Sequence, residues 1–228
     1  MYRPPADLTL LRTADGSLTL RSEQLGEQYH SVHGAVQESM HVYIRAGLGS
    51  VDKPEVDVLE VGLGTGLNLL LTWIRCLEGK GQVRYTALEP FPLRREQLEA
   101  LAHCADLAWP GLHEPFLERM TDQDESWHGM LGGLSFRKLS ASVGEHEAES
   151  AYDVIYYDAF APAVQPELWT EDMFRRTHRA LRPGGVLVTY CAKGDVRRAM
   201  VAAGLEVQRL SGPPGKAEML RAIRPLPH

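Results

Sequence analysis

Apolar residues open the chain in two short runs, Leu8-Thr9-Leu10-Leu11 and Leu18-Thr19-Leu20, with Ala14-Asp15-Gly16-Ser17 between them. Asp-Gly is a turn former, so this pattern predicts a β-hairpin. A polar stretch follows through His33, and the spacing then predicts a helix over 34–46 before Lys53-Pro54 interrupts the chain. Beyond that point the period switches repeatedly between two and 3.6. Strands are expected at 56–61, 83–88, 134–139, 152–157 and 186–190. Helices are expected at 67–77, 93–102, 166–181 and 194–203. Residues 105–133 show no clear period and carry an acidic cluster of Glu114, Glu118, Asp122, Asp124 and Glu125. The segments 205–210 and 219–223 flank Gly212-Pro213-Pro214-Gly215 and read as a closing hairpin.

Strands alternating with helices imply an α/β fold, a doubly wound and mostly parallel sheet with helices on both faces. An antiparallel last strand is compatible with such a sheet. The expected division is an N-terminal hairpin-and-helix extension over 1–50, packed on a catalytic domain over 51–228. No tandem repeat or low-complexity tract is visible.

Composition narrows the class. The 228 residues are 44% hydrophobic and 24% charged, which excludes collagen-like, disordered and coiled-coil chains. No window approaches 18 uninterrupted apolar residues, and the first seven residues lack the apolar run of a leader peptide. Cys76, Cys104 and Cys191 are odd in number and widely spaced, so reduced thiols and a cytoplasmic location are expected. The net charge of −6 conceals an asymmetry: residues 1–172 sum to −14 and residues 173–228 to +8. A basic last quarter suits a polyanionic partner, although solvated helix faces would produce the same count.

The chemistry concentrates at strand ends. Glu60-Val61-Gly62-Leu63-Gly64-Thr65-Gly66-Leu67-Asn68 joins the first strand of the alternating region to its helix. Glycines there let backbone approach a ligand, at the sheet edge where open α/β folds bind. The spacing is G-x-G-x-G rather than the G-x-G-x-x-G of dinucleotide binders. With Glu60 it points to S-adenosyl-L-methionine. Glu89 ends the next strand, where a carboxylate can accept from both ribose hydroxyls. Asp158, in Asp158-Ala159-Phe160-Ala161-Pro162, ends the buried strand over 152–157 beside the same crevice. A polar group there can orient an amine lone pair. His30, His33 and His41 have no carboxylate or Cys partner at ligand spacing, so no metal site is expected.

Longer strings carry a resemblance. Asp158-Ala-Phe-Ala-Pro162, Gln165-Pro-Glu-Leu-Trp169-Thr170, Arg182-Pro-Gly-Gly185, Tyr190-Cys-Ala-Lys193-Gly194 and Gly212-Pro-Pro-Gly-Lys216-Ala-Glu-Met219 resemble the methyltransferase of the MnmC/MnmD type. Upstream, Tyr29-His-Ser31, Gln37-Glu38-Ser39 and Glu89-Pro-Phe-Pro-Leu93 also fit, so the likeness spans roughly residues 8–224. It implies a Rossmann-like class I S-adenosylmethionine-dependent methyltransferase. The implied reaction methylates the amine of 5-aminomethyl-2-thiouridine at the tRNA wobble position. Gly62, Gly64, Gly66 and Asn68 would contact the cofactor, Glu89 the ribose, and Tyr29 and Ser31 would close over the methionine end. Asp158 would face the reacting amine while touching the cofactor. Phe160 and Pro162 would border the substrate. Lys193, Arg197, Arg198 and Lys216 would hold the anticodon-loop backbone. Where the family usually has Gly-Asp after the third strand, this chain has Ser140-Ala141, so an adenine contact falls to backbone, Ser140 or Ser142. No fused FAD oxidase follows the sequence as read, so methyl transfer alone is expected, with an oxidase or GTPase-complex enzymes acting upstream.

Two other classes remain open at this stage. A polyamine aminopropyltransferase shares the fold and the strand-end Asp but would want more acidic residues for its substrate. A non-catalytic tRNA-binding accessory protein would keep the basic surface without needing the glycine loop or Asp158.

Overall fold

The computed structural model describes residues 7–227. Residues 1–6, on which most of the leader-peptide reading falls, and His228 lie outside the described residues. The opening hairpin forms as its sequence dictates. Strands β1 (Leu8–Arg12) and β2 (Leu18–Ser22) pair antiparallel with Leu10 opposite Leu20. One oxygen of Asp15 accepts from Thr13 Oγ1 at 2.7 Å and from Ser17 N at 3.2 Å, closing the turn. Its other oxygen accepts from Gln37 N at 3.0 Å, so the same side chain caps helix α1 (Ala35–Ser39). The two-residue strand β3 (Glu27–Gln28) completes this small sheet.

The expected helix over 34–46 is two-part. After α1 the backbone widens into a π-helical turn, Met40–Arg45, an uncommon conformation that recurs at functional sites. That turn carries Tyr43, whose side chain is buried.

An eight-stranded sheet forms the body. Chain order gives β4 (Glu55–Val61), α2 (Leu67–Leu77), β5 (Gln82–Leu88), α3 (Arg95–Leu101), α4 (His103–Asp106) and α5 (His113–Thr121). There follow β6 (His128–Gly129), β7 (Leu134–Leu139), β8 (Tyr152–Tyr157), α6 (Glu171–Ala180), β9 (Leu181–Thr189), α7 (Gly194–Ala202), β10 (Glu206–Ser211) and β11 (Glu218–Ile223). The spatial order is β10-β11-β9-β8-β4-β5-β7-β6. The five strands from β9 to β7 run parallel, and β6, β11 and β10 are antiparallel additions. Strand order reverses between β4 and β8, which makes that boundary the switch point of the sheet.

Period-two alternation sorts the core into two layers. Val56 and Val58 of β4 pack with Trp73 of α2, Tyr85 of β5 and Phe116 of α5. Leu59 and Val61, on the opposite face, pack with Tyr157 of β8, Phe174 of α6 and Met200 of α7. Leu20, Val42 and Tyr43 of the N-terminal extension join the first layer.

Two further expectations are corrected. The helix over 166–181 is broken: Pro166–Trp169 forms a 3-10 turn, and Thr170 then caps α6 by accepting from Met173 N. Trp169 is buried and donates to Phe160 O at 2.8 Å, which ties this turn to the end of β8. The irregular region over 105–133 contains α5. Its apolar face is short, with Phe116, Leu117 and Met120 as its buried residues, so its period was masked by the surrounding charges.

Candidate active site

A cavity of about 370 Å³ opens at the carboxyl ends of β4, β5, β8 and β9, across the switch point. That volume lies within the range of small-molecule sites, about 300–1,000 Å³. Its floor is the glycine loop. Gly62, Gly64 and Gly66 have φ of 87°, 50° and 75°, in the left-handed region that disfavours side chains. A Cβ on Gly62 would stand 2.8 Å from Asp158 O, and one on Gly64 would stand 3.1 Å from the Tyr29 ring. Gly66 instead packs against Met120 of α5, outside the wall.

Glu89 braces the loop. Its Oε2 accepts from Gly64 N at 2.9 Å and its Oε1 from Phe91 N at 3.0 Å. Burial nevertheless holds its carboxyl above the usual range. Each oxygen has a second lone pair for a ligand hydroxyl.

Asp158 lies in the opposite wall. Tyr43 Oη donates to its Oδ1 at 2.6 Å, and Asn68 Nδ2 donates to its Oδ2 at 2.8 Å. Burial pushes this carboxyl up to about 7, and the nearby Glu38 charge adds to the effect. The hydrogen bonds from Tyr43 and Asn68 and the charge of Lys216 act in the other direction. Asn68 Nδ2 also donates to Glu60 Oε1 at 2.9 Å. Glu60 is fully buried, and burial followed by the Asp158 charge raises its carboxyl well above the ordinary value.

The N-terminal extension forms the roof. Tyr29 lies over Gly64 and meets Phe160 edge-on, with 4.9 Å between ring centroids. Ser31 N donates to Glu38 Oε1 at 3.1 Å. Glu38 Oε2 is ion-paired with Lys216, which enters from the turn between β10 and β11. The Lys216 ammonium also sits 4.1 Å from the centroid of the Tyr190 ring.

Comparison with known proteins decides what this arrangement is. Residues 133–225 match the model of a family described as S-adenosyl-L-methionine-dependent methyltransferase. The chain is 31% identical over 227 residues to a protein of Aeromonas hydrophila named tRNA 5-methylaminomethyl-2-thiouridine biosynthesis bifunctional protein MnmC, covering 89% of this chain and 33% of that protein. A protein of the same name from Idiomarina loihiensis is 30% identical, with 84% and 34% covered. The crystal structure of MnmC2 from Aquifex aeolicus superposes with a TM-score of 0.77 at 26% identity, covering 99% of this chain and 73% of that one.

The chain is an S-adenosyl-L-methionine-dependent methyltransferase similar to the MnmC-type proteins.

It spans about a third of the length of the curated relatives it matches. A spermidine synthase from Thermotoga maritima, at 14% identity and a TM-score of 0.54, shares the fold.

The methyltransferase cavity fits its family's cofactor. Glu27, Glu38, Glu89 and Asp158 line it against a single lysine, Lys216, an electrostatic balance suited to a sulfonium cation. Of the residues expected at the site, Tyr29, Ser31, Gly62, Gly64, Glu89, Asp158, Phe160 and Lys216 line the cavity. Glu60 and Asn68 stand one layer beneath, because Glu60 falls on the β4 face turned toward α2. Asn68 Nδ2 bridges the Glu60 and Asp158 carboxyls. Ser142 lines the wall, while Ser140 N is engaged by Glu125. Pro162 is half-buried in the turn after β8 and lies outside the wall.

The basic residues do not face one opening together. Lys193 and Arg198 are exposed around the start of α7, Arg197 is half-buried there, and none of the three lines the cavity. Arg198 is ion-paired with Asp195. Lys216 points inward to Glu38, because Gly215 packs against the His33 ring and turns the hairpin tip over the crevice. Several of the charges behind the +8 balance pair with acids from the rest of the chain: Arg175 with Glu171, Arg176 with Asp172, Arg182 with Asp57 and Asp153, and Lys216 with Glu38.

Tyr43 was not anticipated; it lies in the π-helical turn, 115 positions from the Asp158 it contacts. Glu38 and Tyr190 stood inside the strings that carried the resemblance but had no assigned role. The three histidines weighed as metal ligands are dispersed: His30 meets Thr65, His41 meets Ser211 O, and His33 meets Gly215. Among the described residues no helix is long and apolar enough to cross a membrane. Cys76, Cys104 and Cys191 are buried and unpaired.

Proposed function

We propose that this methyltransferase modifies the tRNA wobble uridine, methylating the amine of 5-aminomethyl-2-thiouridine to give 5-methylaminomethyl-2-thiouridine. The observation that carries the reading is Asp158, held by Tyr43 and Asn68 at the cavity wall and facing the space above the glycine loop. The names of the similar proteins supply the nucleoside and the tRNA.

The nucleophile must be a neutral amine. An alkylamine with a pKa of about 10.4 is neutral in only about one molecule in a thousand at pH 7. A carboxylate with a proton affinity near neutrality can take that proton, whereas an ordinary Asp could not hold it. Burial gives Asp158 this property, and the bonds from Tyr43 and Asn68 fix the direction of its lone pairs. S-adenosylmethionine, when bound, supplies an electrophilic methyl on a cationic sulfur. Gly62 and Gly64 would lie against it, Glu89 would accept from its ribose, and Tyr29 and Ser31 would close over its amino-acid end. Phe160 and Tyr29 exclude water, so positioning in a dry site supplies much of the acceleration. The tRNA backbone would be held by Lys193, with Arg197 and Arg198 alongside.

The acid-rich lining also suits a diamine acceptor, which keeps aminopropyl transfer as a second reading. One assay separates the two. The protein is incubated with S-adenosylmethionine and tRNA from a strain lacking this methyltransferase, and in parallel with decarboxylated S-adenosylmethionine and putrescine. Nucleoside analysis showing 5-methylaminomethyl-2-thiouridine supports the first reading. Spermidine formation with unchanged tRNA would replace it with the second. An accessory tRNA-binding role would leave both substrates unchanged.

A further inference from the structure

Lys216 is the one cation lining the acidic cavity among the described residues, and its surroundings have a specific chemistry. Its ammonium lies over the Tyr190 ring, 4.1 Å from the centroid, and is ion-paired with Glu38, whose side chain is only 8% exposed. A carboxylate beside an aromatic face, shielded from water, is a receptor for an alkylammonium group. Both receptor groups are anchored without help from Lys216. Tyr190 Oη donates to Ala159 O at 3.0 Å, next to Asp158, and Glu38 Oε1 is held by Ser31 N. Lys216, in contrast, arrives on the glycine- and proline-rich turn between β10 and β11.

Resting on the methyl acceptor proposed above, we propose that Glu38 and Tyr190 form the seat of the substrate's primary ammonium group, and that Lys216 fills this seat in the free protein and leaves it when the aminomethyl uridine enters. The lysine side chain and the aminomethyl substituent end in the same group, a methylene bearing a primary ammonium. A uridine without that group would leave Lys216 in place and gain nothing from the seat. Selection of the amine thus occurs at binding, one step before Asp158 acts on it. The assignment replaces a phosphate-contacting role for Lys216, which its ion pair with Glu38 disfavours.

The test compares two anticodon stem-loop RNAs at pH 7, where the amine is protonated. One carries 5-aminomethyl-2-thiouridine and the other 2-thiouridine. Affinities are measured for the full chain and for Tyr190→Leu, Tyr190→Phe, Glu38→Gln and Lys216→Met. Wild type should prefer the aminomethyl RNA. That preference should fall by about tenfold in Tyr190→Leu and Glu38→Gln, the scale of a desolvated cation–π contact. Tyr190→Phe keeps the ring face and should retain it, and it remains informative should the Leu variant fail to fold. Lys216→Met removes the internal competitor and should increase the preference. The inference is overturned if wild type binds both RNAs equally, if the preference survives in Glu38→Gln, or if Lys216→Met weakens both RNAs alike. Failure of the underlying reading is distinct: wild type would then methylate neither RNA.

Discussion

Tyr43→Phe isolates one atom of the site. The hydroxyl donates to Asp158 Oδ1 at 2.6 Å, and the ring is buried against Tyr156 with centroids 5.3 Å apart. Phenylalanine keeps the ring packing and deletes only the donor. A hydrogen bond to a charged group contributes about 1.5–3 kcal/mol. This one favours the ionised form of Asp158, so its loss should raise the carboxyl by about one to two pH units, at 1.36 kcal/mol per unit. Wild-type Asp158 starts from about 7 without ligand, and a bound sulfonium will draw it lower. Only the deprotonated carboxylate can accept the amine's proton, so kcat/KM must fall as pH drops below this value. Because that proton passes from the bound ammonium to Asp158, the reacting pair carries one proton in all, and log kcat/KM is level between the Asp158 value and about 10. The Asp158 limb therefore appears as a change of slope from one to zero. The assay is methyl transfer to aminomethyl-bearing tRNA between pH 5.5 and about 9, with saturating donor, for both proteins. The break should move upward by about one to two units in Tyr43→Phe, with the two curves converging at high pH. Superimposable profiles would refute the argument that Tyr43 sets the ionisation of Asp158.

Other outcomes follow from the same geometry. Asp158→Ala should lower kcat by roughly 100-fold or more while leaving S-adenosylmethionine affinity nearly unchanged; single-turnover rates and calorimetric titration check the two halves. Gly64→Val should abolish cofactor binding in a folded protein, since φ is 50° and a Cβ already stands 3.1 Å from Tyr29; titration calorimetry with a thermal melt decides it. Lys193→Ala should reduce the salt slope of log K for tRNA by about 0.7, and Arg198→Ala, whose charge is paired with Asp195, should reduce it less; equal slopes for wild type and both variants would place the tRNA elsewhere. His30 and His103 are held by burial at about 4 and about 3, below the unfolded value near 6.5, so the unfolded chain binds more protons and stability should decline as pH falls from about 6.5 toward 4. His103 has no hydrogen-bond partner at either ring nitrogen among the described residues, so His103→Leu should leave stability at pH 7 unchanged or improved and flatten part of that decline in urea melts.

Local rules made the sheet legible in the sequence. The buried strands β4 and β8, the glycine loop and the carboxylates Glu89 and Asp158 follow from period and strand-end position. What escaped depended on long-range meeting of segments. Tyr43 reads as a core aromatic on a helix until the π-helical turn and β8 are seen together. Glu60 looks like a ligand contact beside the glycine loop, yet alternation along β4 turns it under Asn68. Lys216 belongs to a basic stretch, but the Gly215 turn stacks on His33 and carries its charge inward. The +8 balance likewise overstates the free basic surface, because partners such as Asp57 and Glu38 come from the acidic portion of the chain.

The central claim is that the amine of a wobble-position aminomethyl uridine is methylated at Asp158. It is tested most directly by a single-turnover reaction with radiolabelled S-adenosylmethionine and an anticodon stem-loop carrying one 5-aminomethyl-2-thiouridine. The account predicts label on that nucleoside alone, at a rate that falls by roughly 100-fold in Asp158→Ala. Label on an unmodified stem-loop, or an unchanged rate in the variant, would contradict it.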